Sequence, residues 1–265
     1  MEYIPSNKED LALHKDFCGI NANGIEVGKS FLQDNTLRRV LYKRTGKDDI
    51  EVIVVDRRSS PAAQRKLSKI LEVVNVKLSA AVMSEEILWA PQESSNHDSN
   101  PLAKRSGRRD QPTKAGDSFK AFVHLLGERC VSVCLAEKVS RAFPVIDVRP
   151  QARTGDTASF DPSNGSSLSV STSADIALLG VSRIWVSKAY RRRGLAFAML
   201  ESARNNFFYG LQVPKNLMAF SQPTESGGRL AKRWFEAETG WHIYDGDAQA
   251  ARRDPSASIS LTDDV

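Results

Sequence analysis

Three cysteines in 265 residues are too few, and odd in number, to build the paired disulfide framework of a small secreted domain. Cys130 and Cys134 fall inside an apolar, strand-like run and are expected to be reduced core residues. No apolar stretch approaches the about 20 residues that cross a bilayer, and the N-terminus lacks the charged-then-apolar order of a secretory signal. A soluble intracellular protein with no membrane partner is the expectation. No internal repeat is visible. With 37 basic against 32 acidic residues the formal charge is +5, which permits association with nucleic acid or acidic protein surfaces without selecting either. A hydrophobic content of 41% over this length suffices for one sizeable domain with insertions, or for a domain and a small module.

Large apolar side chains are also nearly absent from two internal stretches. Residues 91–117 are rich in Ser, Asn, Pro, Lys and Arg, and residues 148–174 in Ser, Gly, Asp and Pro. Both are expected to be disordered or flexible insertions, because neither has enough apolar surface to offset the entropy of ordering. The basic cluster Lys104-Arg105-Ser106-Gly107-Arg108-Arg109 lies inside the first and reads equally as a nuclear-import signal or as solvated charge.

Between these stretches the pattern is regular. Glu51 to Val55 reads as a strand, and Ser60-Pro61 then starts a helix whose Leu67, Ile70, Leu71, Val74 and Leu78 keep three-and-four spacing. Phe119 to Leu126 and Arg129 to Glu137 are two β-rich runs separated by Gly127-Glu128, a hairpin spacing. A strand is expected over Val181 to Val186, and a helix follows from near Gly194 with Leu195, Ala196, Met199, Leu200, Ala203 and Phe207 on one stripe. Leu217 to Ser221 reads as a strand, Gly228 to Glu238 as a helix stopped by Gly240, and Trp241 to Tyr244 as a terminal strand. The class is α/β with a mixed, largely antiparallel sheet.

The turn Arg191-Arg192-Arg193-Gly194-Leu195-Ala196 carries the chemistry. An R-x-x-G-x-A turn feeding a helix exposes unpaired backbone N–H groups at the positive end of the helix dipole. The glycine permits close approach, and the arginines add charge. Such a site suits a pyrophosphate and points to acyl-CoA. The flanking segments Gly180-Val181-Ser182-Arg183-Ile184-Trp185-Val186 and Ala219-Phe220-Ser221-Gln222-Pro223-Thr224-Glu225-Ser226-Gly227, with Tyr209-Gly210 between them and Ile53 to Pro61 upstream, resemble the cohesion-establishment lysine acetyltransferases of the GNAT superfamily.

The resemblance implies a GNAT-type sheet flanked by helices over 36–247, a polar tail at 248–265, and acetyl-CoA as acyl donor. It further implies transfer to a lysine of the SMC subunit of cohesin, to establish sister-chromatid cohesion during DNA replication. Nuclear, chromatin-associated placement near the replication machinery follows from the same likeness. By the same carry-over, Ile184, Trp185 and Val186 line the pantetheine, Arg191, Arg192, Arg193, Gly194, Leu195 and Ala196 grip the pyrophosphate, and Ser221, Pro223 and Thr224 lie beside the cofactor. Ser182, Glu201 and Gln222 are the candidate catalytic residues. An oxyanion donor is expected from backbone at Ile184 to Val186, provided the strand splays from its neighbour.

Deprotonation is the demanding step, because a lysine ammonium has a reference pKa of about 10.4. Some family members carry Asp where this chain has Gln222, and an amide is no base, which leaves Gln222 to orient the lysine or a water and Ser182 to complete a relay. Glu201 is the leading carboxylate, although its helical position and Arg204 at i+3 equally suit an exposed ion pair. Residues 1–31 are similar to the second half of a zinc finger. Only His14 and Cys18 stand at ligand positions, so zinc is expected only if an upstream cysteine pair completes the tetrahedron. Two other readings remain open: a chromatin-associated binding module of the same fold with little activity, and a GNAT acting on a small amine.

Overall fold

The computed structural model describes residues 19, 23–43, 49–90, 116–147, 157–159 and 168–246. His14, Cys18, the basic cluster at 104–109 and the tail from 248 lie outside the described residues. Ten strands form one sheet, built around β4 (Phe119–Leu126) and β5 (Arg129–Lys138), the hairpin anticipated from Gly127-Glu128. Gly127 takes φ +56°, the left-handed conformation a two-residue turn needs. β3 (Ile50–Val55) pairs antiparallel with β4, and β2 (Arg38–Tyr42) with β3. β1 (Ile25–Glu26) adds to the end of β5.

On the other side of β5 the order continues through β10 (Leu179–Val186), β11 (Met218–Ser221), β12 (His242–Tyr244), β6 (Arg141–Pro144) and β9 (Asp175–Ile176). Only β10–β11 and β11–β12 run parallel, and each is bridged by a helix, as a parallel connection requires. Helix α4 (Leu195–Asn206) links the first pair and α5 (Glu225–Phe235) the second.

Alternation along the strands separates two cores. Val52 and Val54 face one, with Leu195, Met199 and Ala203 of α4 and Trp234 of α5. Ile53 and Val55 face the other, with Leu67, Ile70, Leu71 and Val74 of α2 (Pro61–Leu78). The one-turn helix α1 (Lys29–Leu32) contributes Phe31 to this second core. Cys130 and Cys134 are fully buried, and burial pushes both thiols up to about 12, so neither is an acyl-accepting nucleophile at neutral pH.

Two sequence expectations need correction. The helix placed over Gly228 to Glu238 starts at Glu225, because Thr224 accepts a hydrogen bond from the Gly227 amide at 3.2 Å and fixes the first turn ahead of the two glycines. It ends at Phe235, where Glu236 adopts φ +56°, and Gly240 instead turns the chain into β12 by donating its amide to the Val145 carbonyl at 2.7 Å. The stretch expected to be irregular to 174 is ordered at its end. There β8 (Ser169–Ser171) pairs with β7 (Thr157–Ser159), and Val170 bridges Val145 and is buried. One alternating Val was enough, and the polar composition around it hid the strand.

His124 on β4 gives the fold a measurable pH response. The ring is 7% exposed and donates from Nδ1 to the Glu51 carbonyl at 2.8 Å. Burial holds its pKa below 6.5, outweighing the carbonyl and the Glu51 charge, which act the other way. The unfolded chain therefore binds a proton that the folded chain refuses. Stability is complete above about 6.5 and falls as the pH drops toward the depressed folded value. Melting temperatures between pH 7 and 5 are expected to decline less steeply in His124→Gln than in the wild type; equal slopes would refute the assignment.

Candidate active site

The sheet opens along one edge of β10. The β10–β11 ladder joins Leu179 to Met218, Gly180 to Ala219 and Val181 to Phe220, and stops there. At the same point the register of β10 against β5 shifts between Val181 and Arg183, which makes Ser182 the extra residue of a β-bulge. A bulge bends its strand and increases the twist. Arg183 to Val186 continue to pair with β5, through Arg183 with Leu135 and Val186 with Ser132, but have no strand on the β11 side among the described residues. β11 itself ends at Ser221, so the second half of β10 runs on beyond its parallel neighbour. This leaves a row of backbone donors and acceptors facing a gap between β10 and β11.

Helix α4 starts at that gap. Ser60 and Ser84 cap α2 and α3 (Glu85–Trp89), and Thr224 caps α5. α4 begins instead at Gly194, φ +83°, with no side-chain cap among the described residues. Its first intrahelical amide is that of Ala198, bonded to the Gly194 carbonyl at 3.0 Å, so the amides of Leu195, Ala196 and Phe197 point out of the N-terminus. Leu195 is 6% exposed and anchors the turn in the core.

The three arginines divide their work. Arg191 turns back and donates from Nε to the Val186 carbonyl at 3.0 Å, closing the loop from β10. Arg192 holds a left-handed φ of +59°, and Arg193 lies over the Tyr190 ring at 5.1 Å. All three side chains are on the surface around the helix start.

Around Ser182 is a polar cluster that sequence reasoning missed. Glu137 on β5 and Tyr244 on β12 are 2% and 1% exposed, and the Tyr244 hydroxyl donates to Glu137 Oε2 at 3.1 Å. Tyr244 crosses β10 at Gly180, where a Cβ would sit 2.5 Å from its ring, so only glycine admits the crossing. The Ser182 hydroxyl lies close enough to that of Tyr244 to favour its ionised form, against the larger effects of burial and Glu137. Arg183 Nη1 reaches Ser182 Oγ at 3.3 Å, and its Nε donates to Asn75 Oδ1 of α2 at 3.1 Å. Burial first, and then the Glu137 charge, raise the Tyr244 pKa well above its usual 10.0 and keep the phenol protonated. The available signal was a lone carboxylate closing the apolar run Cys130 to Ala136. A cavity of about 220 Å³ lies beside Asn75, lined by Glu72, Glu85 and Met83 among others.

Other candidates are placed differently from one another. Glu201 on α4 accepts from Arg204 Nη1 at 2.9 and 3.1 Å, and Arg204 Nε donates to the Val213 carbonyl, so this carboxylate is tied into an ion pair. Gln222 follows β11 with φ +29° and is exposed at the mouth of the gap, next to half-buried Ser221 and Pro223. The Thr224 hydroxyl is engaged as the α5 cap. Ile184 and Val186 face the α4 core, whereas Trp185 is 3% exposed in the α2 core, so only its backbone borders the gap. Among the described residues no group of three or more His, Cys, Asp or Glu is set to hold a metal. His14 and Cys18 alone do not close a tetrahedral zinc site. No helix among the described residues is long and apolar enough to cross a membrane.

A parallel pair that ends at Val181 and Phe220, a bulged central strand and an uncapped glycine-started helix define an acetyltransferase of the GNAT type. The ESCO1/2 acetyl-transferase family model matches residues 175–244, which span β9 to β12 and hold the whole opening. The N-acetyltransferase eso1 of Schizosaccharomyces pombe is 28% identical over 234 residues, covering 88% of this chain but 22% of that protein. ECO1 of Candida glabrata is 26% identical over 257 residues, covering 88% and 80% respectively. Among solved structures the xEco2 acetyltransferase domain bound to a CoA conjugate superimposes with a TM-score of 0.54 at 20% identity, covering 78% of this chain and 98% of that one. The chain is thus similar to the cohesion-establishment acetyltransferases, through the family match at 175–244 and through relatives that align over most of its length.

Proposed function

We propose that this chain is a protein-lysine N-acetyltransferase that takes acetyl-CoA at the α4 N-terminus and acetylates the SMC subunit of cohesin, establishing sister-chromatid cohesion during DNA replication. The observation that carries the reading is the meeting of an uncapped helix start and an unpaired strand edge at one gap, in a chain similar to this family. The amides of Leu195, Ala196 and Phe197 receive the pyrophosphate, with the helix dipole and Arg192 and Arg193 adding positive potential. Backbone at Ile184 to Val186 aligns the pantetheine as an added strand, and an amide of this run takes the developing charge on the thioester oxygen. The xEco2 domain, solved with a CoA conjugate, supports the choice of cofactor.

On the acceptor side, Ser182 meets the lysine amine at the bulge, and Gln222 orients it from the mouth of the gap. Once a proton has left the ammonium, the nitrogen lone pair forms the C–N bond, the C–S bond breaks, and the second nitrogen proton ends on the departing sulfur. Transfer is direct from thioester to amine, and the two cysteines among the described residues, Cys130 and Cys134, are buried and protonated and take no part. Glu201 serves as base only by leaving Arg204. The protein is placed in the nucleus, on chromatin beside the replication machinery. Zinc joins it only if a cysteine pair upstream of His14 and Cys18 completes the ligand set.

Incubation of the chain with radiolabelled acetyl-CoA and a purified cohesin SMC head domain tests the reading. Label is expected on SMC lysine, falling by about 100-fold in Ser182→Ala, in the range of one acid–base group. Label on free small amines but not on the SMC head would displace cohesin as substrate, and no label on either would defeat the acetyltransferase reading.

A further inference from the structure

Gln222 leaves the reaction without a carboxylate at the mouth of the gap, and Arg204 occupies the one on α4. The remaining carboxylate that connects to Ser182 is buried beneath the sheet opening. Arg183 Nη1 donates to Ser182 Oγ at 3.3 Å and the Tyr244 hydroxyl to Glu137 Oε2 at 3.1 Å, and between these two bonds the Ser182 hydroxyl faces Tyr244 Oη. The two groups between Arg183 and Glu137 are hydroxyls, each able to give one proton as it takes another, and the line ends on a carboxyl group.

We propose that Glu137 is the proton acceptor of the acetyl-transfer reaction, reached from the substrate amine through Ser182 and Tyr244. The inference rests on the acetyltransferase reading above and adds the base which that reading lacks. The ammonium proton passes to Ser182 Oγ as the serine proton passes to Tyr244 Oη and the tyrosine proton to Glu137. The two hydroxyls end as they began, Glu137 becomes a neutral carboxyl, and the amine is left with its lone pair. After product departs, the same three groups return the proton to solvent. Arg183, Glu137 and Tyr244 are the charged and titratable groups that face Ser182 from β10, β5 and β12.

The local structure is built for the connection. The β-bulge turns Ser182 out of the regular alternation, and Gly180 gives the tyrosine ring its passage across β10. Arg183, held by Asn75 and by the Ala81 carbonyl at 3.2 Å, keeps the serine hydroxyl aimed along the line by occupying its lone pair. The resting phenol keeps its proton, as a relay member must.

Two variants of the full chain separate this from a packing role. Glu137→Gln retains size and an acceptor oxygen for Tyr244 but is no base, and Tyr244→Phe retains the ring but cannot pass a proton. Both are expected to lower kcat toward the SMC head domain by about 100-fold while the KM for acetyl-CoA stays within about twofold. The proton inventory in H2O–D2O mixtures, curved for the wild type as several protons move, is expected to become linear or flat in Tyr244→Phe. An active wild type with kcat within about threefold in either folded variant, or an unchanged curved inventory in Tyr244→Phe, overturns the relay alone. A wild type that binds acetyl-CoA yet transfers nothing overturns the acetyltransferase reading, and the relay with it.

Discussion

Replacement of Gly194 by Asp is expected to abolish acetyl-CoA binding, with titration calorimetry showing a loss of affinity of at least about 100-fold and the melting temperature changing little. Two effects add. Gly194 sits at φ +83°, where a Cβ is unfavourable by about 1 kcal/mol or more. The larger effect is that the new carboxylate occupies the N-cap, accepts from the amides reserved for the pyrophosphate, and sets a negative charge where one must bind. An aspartate cap stabilises the helix itself, so loss of binding without loss of fold is the signature. Retained affinity would remove the α4 N-terminus from the site.

Trp234→Ala is expected to be the most damaging single truncation in the core, costing about 3–5 kcal/mol. Trp234 is 1% exposed, meets the Phe197 ring edge-on at 5.3 Å, and carries Lys215 Nζ 4.4 Å above its ring. It joins α5 to the first turn of α4 through Phe197, so the variant also loosens the start of α4. Its Nε1 has no hydrogen-bond partner among the described residues, so Trp234→Phe forfeits area alone and is expected to cost about 1–2 kcal/mol. Urea midpoints would report both; a midpoint for Trp234→Ala within about 1 kcal/mol of wild type would show that the core refills the space.

How far the sequence could be read depended on range. The hairpin at Gly127, the Ser60-Pro61 helix start and the stripe on α4 follow from residues a few positions apart, and the structure has each of them. The glycine-started turn into α4 was legible for the same reason, although nothing in Arg191-Arg192-Arg193 tells that Arg191 folds back onto Val186 while Arg193 stacks on Tyr190. The helix start at Glu225 was obscured by Gly227 and Gly228, whose low propensity Thr224 overrides. The cluster of Ser182, Glu137 and Tyr244 was out of reach. It needs a strand order, a bulge at a particular residue and a glycine beneath a ring, and the local signals, Ser182 beside the turn and Glu137 closing an apolar run, do not say that the two meet.

The parallel pairs at β10, β11 and β12 set a timetable for the molecule. Glu137 and Tyr244 are 107 residues apart, and the tyrosine lies on β12, the last of the described strands in the sequence. Contacts this distant form late, after the crossovers through α4 and α5 have been laid down. On the proposed relay, a nascent chain therefore holds the Gly194 turn before Glu137 is joined to the serine, and acetylation waits for β12 to complete the sheet.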